Sequence, residues 1–369
     1  MIKIAFFLPF LGGGGAERVC LTLAEGFLHH GFEVDFVLAR KTGRLLKEVP
    51  IGAGVVDLSA RRTLNALLPL AAYLRREKPF ALIAAPDHAN LVAIWAKLLA
   101  FSQTRVLISN HIFLSISIGN TRKIQEKIYP FLLHLFYRQA DALVSVSRGA
   151  ADDMARIARI PRKRIRTIYN PLPLAEIARQ GTEPPSPPWF APGGPPVILA
   201  AGRLSAQKDY PTLLRAFASV RKIRPVRLVI LGEGKELPRL LALADDLGIR
   251  TDIDLPGFMD HLYPLMAHCQ VFVLSSTWEG FGNVLVEALT CGAQIVSTDC
   301  PSGPAEILEN GKYGRLVPVG DGDALGRAIE DALDHPLPIE GLKERAKAFS
   351  SEQAVCAYLN ALGLSLNDR

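Results

Sequence analysis

Arg203 and Lys208 stand close together in the run Gly202-Arg203-Leu204-Ser205-Ala206-Gln207-Lys208-Asp209. Arginine offers a planar fork of N–H donors and lysine a compact point charge, a pair suited to the oxygens of one diphosphate. A second run, Glu279-Gly280-Phe281-Gly282-Asn283-Val284-Leu285-Val286-Glu287, sets two carboxylates around a glycine-rich turn. Carboxylates accept hydrogen bonds from hydroxyls such as those of a sugar ring. The turn leads into a helical pattern near Asn283, and the first N–H groups of a helix are donors that favour negative charge. Either glutamate alone reads equally well as a cap or a surface residue. Their joint occurrence with Arg203 and Lys208 is what singles out a binding site.

Gly12-Gly13-Gly14-Gly15-Ala16-Glu17-Arg18 lies between a strand pattern and a helix pattern. Glycines there let the backbone approach a ligand closely. The run is not a dinucleotide fingerprint, because Glu17 or Arg18 stands where that pattern needs Gly or Ala, and no Gly-Lys-Ser/Thr follows it. Gly232-Glu233-Gly234-Lys235 is followed by Glu236 in place of a magnesium-holding hydroxyl, and reads as a plain turn. Two Asp-x-Asp triplets occur. Asp252-Ile253-Asp254 runs into a strand pattern, and Asp321-Gly322-Asp323 opens a helix, where Asp321 is a natural cap. No metal site is expected from either.

These motifs sit at the joints of an alternating pattern. Ile2 to Pro9 reads as a buried strand, Ala16 to His30 as a helix stopped by Gly31, and Glu33 to Ala39 as the next strand. The alternation continues with a helix at 64–77, a strand at 81–85, a helix at 90–100, a strand at 105–109, a helix at 122–137 and a strand at 142–146. A second series begins at Val197 and runs through strand patterns at 227–231, 253–255, 271–274, 294–298 and 315–317. Between the series, Thr182 to Pro196 carries seven prolines and two glycines in fifteen residues, which excludes regular structure. The expected division is therefore a first Rossmann-like domain over 1–181, a linker over 182–196 and a second Rossmann-like domain over 197–350. A helical tail over 351–369 is expected to pack back on the first domain. The fold class is α/β, two doubly wound halves with a ligand cleft between them.

Composition agrees with this. A chain of 369 residues fits about two domains, and 49% hydrophobic with 21% charged residues is globular. The 42 basic and 36 acidic residues leave +6, an excess too small to indicate nucleic acid. Five scattered cysteines with no Cys-x-x-Cys pair suit a reducing compartment. No run reaches the roughly 18 apolar residues of a membrane span. The apolar start, Met1 to Leu11, reads as a strand rather than a signal peptide.

The ordered set of motifs resembles the retaining glycosyltransferases of family 4, which have the GT-B fold. That family shows a Gly-Gly loop after its first strand, a Gly-Arg…Lys pair opening its second domain, and a Glu-x7-Glu motif. The stretch Asp299 to Leu308, followed by Gly311 to Val317, is similar to members that build bacterial surface and lipid-linked glycans. The resemblance implies that Arg203 and Lys208 hold the donor diphosphate and that Glu279, with the N–H groups of Phe281, Gly282 and Asn283, holds the transferred sugar. It gives Glu287 the ribose hydroxyls, and places Gly13, Gly14 and Gly15 beside sugar and phosphate. His111 matches a histidine that reaches the donor sugar, and Gly257 and Phe258 lie where the family packs the base. It also implies a hexose or N-acetylhexosamine as the transferred unit, UDP as the expected carrier, and no metal or other cofactor, two fixed cations taking the metal's place at the diphosphate. A nucleotide-sugar epimerase of the same fold and a noncatalytic sugar-nucleotide-binding subunit are the alternatives.

Six basic residues fall between Arg156 and Arg166 with no acidic residue among them. Upstream, Lys123, Lys127 and Arg138 accompany Ile128, Tyr129, Phe131, Leu132 and Phe136. Such a surface suits anionic lipid headgroups. With the resemblance, the expectation is a peripheral protein on the cytoplasmic face of the membrane, acting on a polyprenyl-diphosphate-linked glycan.

Overall fold

A computed structural model describes residues 1–119, 123–185, 188–190, 193–366 and 368, and omits the side chains of 87, 123–127 and 188. In the first half, seven strands form one sheet: β1 (Lys3–Leu8), β2 (Glu33–Leu38), β3 (Gly54–Asp57), β4 (Ala81–Ala84), β5 (Arg105–Asn110), β6 (Ala142–Ser145) and β7 (Ile165–Thr167). Their order is β3-β2-β1-β4-β5-β6-β7, with every pairing parallel. Ile4, Phe6 and Leu8 enter the core on one face of this sheet, and Ala5 and Phe7 the core on the other. Alternate side chains of a strand point to opposite faces, so a strand buried on both reads as the continuous apolar run seen at the start of the chain.

In the second half, six strands form another parallel sheet: β8 (Val197–Ala201), β9 (Arg227–Leu231), β10 (Ile253–Gly257), β11 (Val271–Leu274), β12 (Gln294–Thr298) and β13 (Arg315–Val317). Their order is β10-β9-β8-β11-β12-β13. Both sheets reverse direction once, between β1 and β4 in the first and between β8 and β11 in the second. Ligands of open parallel sheets bind beyond the carboxyl ends of the strands at such a reversal.

The chain divides into two compact units, Met1–Leu172 with Phe349–Arg369, and Pro173–Ala348. The boundary falls earlier than the expected linker. The helix Leu174–Gly181 buries Ile177 and packs on the helices Leu262–His268 and Asn283–Cys291, so it belongs to the second unit. Segment 182–196 lies within that unit's span, and its residues 186, 187, 191 and 192 are outside the described residues. The C-terminal helix Ser351–Ala361 joins the first unit. Val355, Tyr358 and Leu359 share a core with Val19, Leu23 and Phe27 of the helix Gly15–His29. Two short strands, β3 (Gly-Val-Val-Asp) and β7 (Ile-Arg-Thr), were not expected, since glycine and charged residues leave neither a continuous apolar run. The helix expected from Arg122 is described from Lys123 to Phe136, Arg122 itself lying outside the described residues, and a short helix, Leu114–Gly119, precedes it.

Candidate functional site

In the second unit, the expected residues gather at the reversal between β8 and β11. β8 ends at Ala201, and Gly202 follows with φ +154. A Cβ on Gly232 would strike the Gly202 carbonyl, so the two turns touch backbone to backbone. Gly232 N–H in turn donates to Gly257 O at 2.8 Å, which aligns the carboxyl ends of β8, β9 and β10. Gly257 has φ +89, and Phe258 beside it is 41% exposed. The turn Ala206–Lys208 ends in Asp209 at φ +43, from which the helix Tyr210–Ile223 starts.

The glutamate loop leaves the neighbouring strand β11 and is stitched to the lysine loop. Ser275 Oγ donates to Lys208 O at 2.6 Å, Thr277 N–H to Gln207 O at 2.8 Å, and Gln207 Nε2 to Trp278 O at 2.9 Å. From the other side, Thr298 Oγ1 donates to Ser276 O at 2.6 Å and Ser302 Oγ to Gly280 O at 2.9 Å. Glu279 is thereby held while only 7% exposed. Its Oε1 accepts from Lys208 Nζ at 2.7 Å and from Ser276 Oγ at 2.6 Å. Gly282 caps the helix Asn283–Cys291 with φ +97, a left-handed geometry glycine takes without steric cost. Asn283, Val284 and Glu287 are the less buried residues of that helix and share one face. Arg203 is exposed, and its guanidinium has no hydrogen-bond or ion-pair partner among the described residues. The site thus has one cation locked in a hydrogen-bonded frame and one open. Sequence reading missed Ser276, Gln207 and Ser302, whose types carry no signal until the loops are brought together.

In the first unit, Gly12 to Gly15 follow β1 at that sheet's reversal, and Gly14 caps the helix Gly15–His29. Gly13 has φ +120, and a Cβ there would strike the Arg44 guanidinium, so the bare backbone brings an arginine the sequence reading did not include against the loop. His111 stands at the carboxyl end of β5. Its Nε2 lies 2.9 Å from Ser109 Oγ, which lies 2.8 Å from Tyr358 Oη. Burial lowers the His111 pKa to about 4, so the ring is neutral near pH 7.

Among the described residues, no group of three or more His, Cys, Asp or Glu side chains is gathered at either aspartate triplet. Asp252 pairs with Arg221 at 2.9 Å, and Asp321 accepts from Ala324 N–H at 2.8 Å as a helix cap. In the basic run 156–166, two of the six cations have acidic partners. Arg162 is engaged by Asp152 Oδ1 at 2.6 Å, Ile165 O at 2.7 Å and Thr167 Oγ1 at 2.9 Å, and Arg156 pairs with Asp153. Of the hydrophobic side chains there, Phe131 is 63% exposed, whereas Tyr129, Leu132 and Phe136 pack against the core, Phe136 edge-on to Trp95. The side chains of Lys123 and Lys127 lie outside the described residues. No described helix is long and apolar enough to cross a membrane.

Two doubly wound units, each carrying glycine-rich loops at its sheet reversal, place the protein among the GT-B glycosyltransferases. Residues 13–176 match the profile of Glycosyltransferase Family 4, and residues 185–351 that of glycosyl transferases group 1. LpsE, a lipopolysaccharide core biosynthesis glycosyltransferase of Rhizobium meliloti, is 30% identical over 373 residues, 98% of this chain and 99% of its own. The N-acetylgalactosamine-N,N'-diacetylbacillosaminyl-diphospho-undecaprenol 4-alpha-N-acetylgalactosaminyltransferase of Campylobacter jejuni is 29% identical over 355 residues, 94% of each chain. Among solved structures, Anabaena Alr3699/HepE in complex with UDP and glucose shares the fold, with TM-score 0.80 at 21% identity over 98% of this chain and 100% of its own. The chain belongs to glycosyltransferase family 4.

Proposed function

We propose that this protein is a retaining, metal-independent transferase that moves a hexose or N-acetylhexosamine from a UDP-sugar to a polyprenyl-diphosphate-linked glycan. The observation that carries this reading is the frame joining the Arg203–Lys208 loop to the Glu279 loop at the β8/β11 reversal. Arg203 and Lys208 take the diphosphate, Glu279 and the N–H groups of Phe281, Gly282 and Asn283 take the sugar, and Glu287 takes the ribose. Gly257 and Phe258 border the base, and Gly13 to Gly15 and His111 are the first unit's contribution to the donor. The acceptor hydroxyl attacks the anomeric carbon on the face that the diphosphate leaves. The C–O bond to the phosphate breaks, the new glycosidic bond forms, and the departing phosphate oxygen takes the hydroxyl proton. Preorganised cations stabilise the charge that develops on the leaving group.

The acceptor class is supported by the relatives that act on undecaprenol-linked glycans. Attachment to the cytoplasmic membrane face is supported by the helix Lys123–Phe136. Ile128, Phe131 and Leu135 are 50%, 63% and 48% exposed, and their spacing of three and four residues aligns them on one side. Arg138 Nη2 reaches Arg159 O, and Arg164 Nη2 reaches Arg138 O and Ala140 O, so three arginines collect at the end of that stripe. An apolar stripe beside cations fits an anionic bilayer surface. Incubation with radiolabelled UDP-sugars, with and without a polyprenyl-diphosphate-linked glycan, tests the reading. Label should enter the lipid only with the acceptor present. Donor rearrangement without acceptor would mean an epimerase, and binding without turnover a noncatalytic subunit.

A further inference from the structure

The contact behind His111 fixes more than the ring's position. Tyr358 lies on the C-terminal helix, is 1% exposed, and has Ser109 as its side-chain hydrogen-bond partner among the described residues. The other group acting on it, the Cys20 thiol, is a weak acceptor. A chain of Tyr, Ser and His can run in two directions. If His111 Nε2–H donated to Ser109 and Ser109 to Tyr358, the phenol proton would be left buried without a good acceptor. If Tyr358 donates to Ser109 Oγ, the Ser109 proton goes to His111 Nε2, and both hydroxyl protons have an acceptor. Nε2 then accepts, and the neutral imidazole carries its proton on Nδ1. Nδ1 is buried, with no partner at full hydrogen-bond geometry, and Asn170 is the polar neighbour whose hydrogen bonding favours a proton on this ring.

We infer that Tyr358 and Ser109 are positioning residues that hold His111 as its Nδ1–H tautomer at the carboxyl end of β5. Free imidazole side chains favour the opposite tautomer, so the fold selects against the intrinsic preference. The selection is made by the C-terminal helix, which docks on the first unit and delivers Tyr358 from far along the sequence. A tautomer held in place keeps the ring neutral and still beside a sugar that gains positive character as its bond to phosphate breaks. The importance of this for turnover rests on the proposed role of His111 at the donor sugar. The tautomer itself does not.

Long-range proton–nitrogen correlation spectra of the full-length protein labelled with ¹⁵N-histidine test it, with His111 assigned by the signals lost in His111→Gln. The wild type should show a protonated Nδ1 and an unprotonated Nε2 from pH 6.5 to 8. Ser109→Ala should move His111 toward the Nε2–H form, and Tyr358→Phe, which keeps the ring volume, should give a mixture. Both variants should lower kcat about tenfold with donor KM changed less than about twofold, since the loss falls on the transition state. An Nε2–H wild type, or the wild-type tautomer retained in both variants, would overturn the assignment. A shifted tautomer with unchanged kcat would leave the assignment standing and remove His111 from the proposed sugar site.

Discussion

Lys208 Nζ donates to Glu279 Oε1 across 2.7 Å, and the two side chains are only 15% and 9% exposed. The cation proposed for the diphosphate is thus already paired with the carboxylate proposed for the sugar. Each removes a desolvation cost from the other, so either substitution leaves a largely buried charge alone. Arg203 has no such tie.

This asymmetry separates the two cations experimentally. Arg203→Ala should lower turnover about 10²- to 10³-fold, the loss typical of removing one donor to a developing anion, with an unchanged melting temperature. Lys208→Ala should lower turnover similarly and also destabilise the second unit by about 3 kcal/mol. Calorimetry beside steady-state kinetics checks both. Equal stability of the two variants would contradict the buried pairing.

Glu279→Gln should reduce kcat more than it raises donor KM, because the sugar gains positive character only as its bond breaks. Glu287→Gln should mainly raise donor KM, since ribose is bound alike in the ground and transition states. Initial-rate measurements over a range of donor concentrations distinguish the two patterns, and identical changes would contradict this division of roles.

Activity should survive excess EDTA without change. On the proposed reading Arg203 and Lys208 supply the positive charge at the diphosphate, and Asp252 and Asp321 are engaged by Arg221 and by a helix cap. Complete loss on chelation, restored by manganese or magnesium, would mean that the diphosphate site has been misassigned.

Stability should depend on His111 at mildly acid pH. Its folded pKa of about 4 lies below the unfolded value of about 6.5, so the unfolded chain binds the proton first. The contribution is fully present above about pH 6.5 and is lost as pH falls toward 4, amounting to about 1–3 kcal/mol. His111→Gln should remove that increment, so that its melting temperature falls less steeply between pH 6.5 and 4 than that of the wild type. Parallel profiles would contradict the burial of the ring.

Sedimentation with vesicles rich in anionic lipid should retain the protein at low salt and release it as the screening length shrinks to about 3 Å at 1 M. Phe131→Ser should weaken binding through the apolar stripe, and Arg159→Glu with Lys163→Glu through charge. Arg162→Glu should instead act mainly on stability, because its guanidinium is held by Asp152 and Thr167. Retention of the protein in the supernatant at low salt would point to a soluble acceptor.

The fold class was legible in the sequence because strands buried on both faces are continuous apolar runs, and the helices between them carry their own period. The loops were legible because glycine, arginine, lysine and glutamate at strand ends have few other reasons to occur together. The rest depended on contacts, some local and some between distant parts of the chain, that form only in the folded structure. The run 156–166 contains no acid, yet Asp152 and Asp153 lie one helical turn back and fold onto Arg162 and Arg156. Tyr129 and Phe131 are near neighbours in sequence, and only the packing of their helix decides which faces solvent. The Pro-rich segment looked like the boundary because proline disrupts regular structure, but a domain ends where its contacts end, and the helix Leu174–Gly181 packs with the second unit. Ser276 beneath Glu279, Arg44 against Gly13 and Tyr358 behind His111 are each set by which strand ends and helices meet. A single residue type does not encode its partner across the chain, so only the tertiary structure decided those contacts.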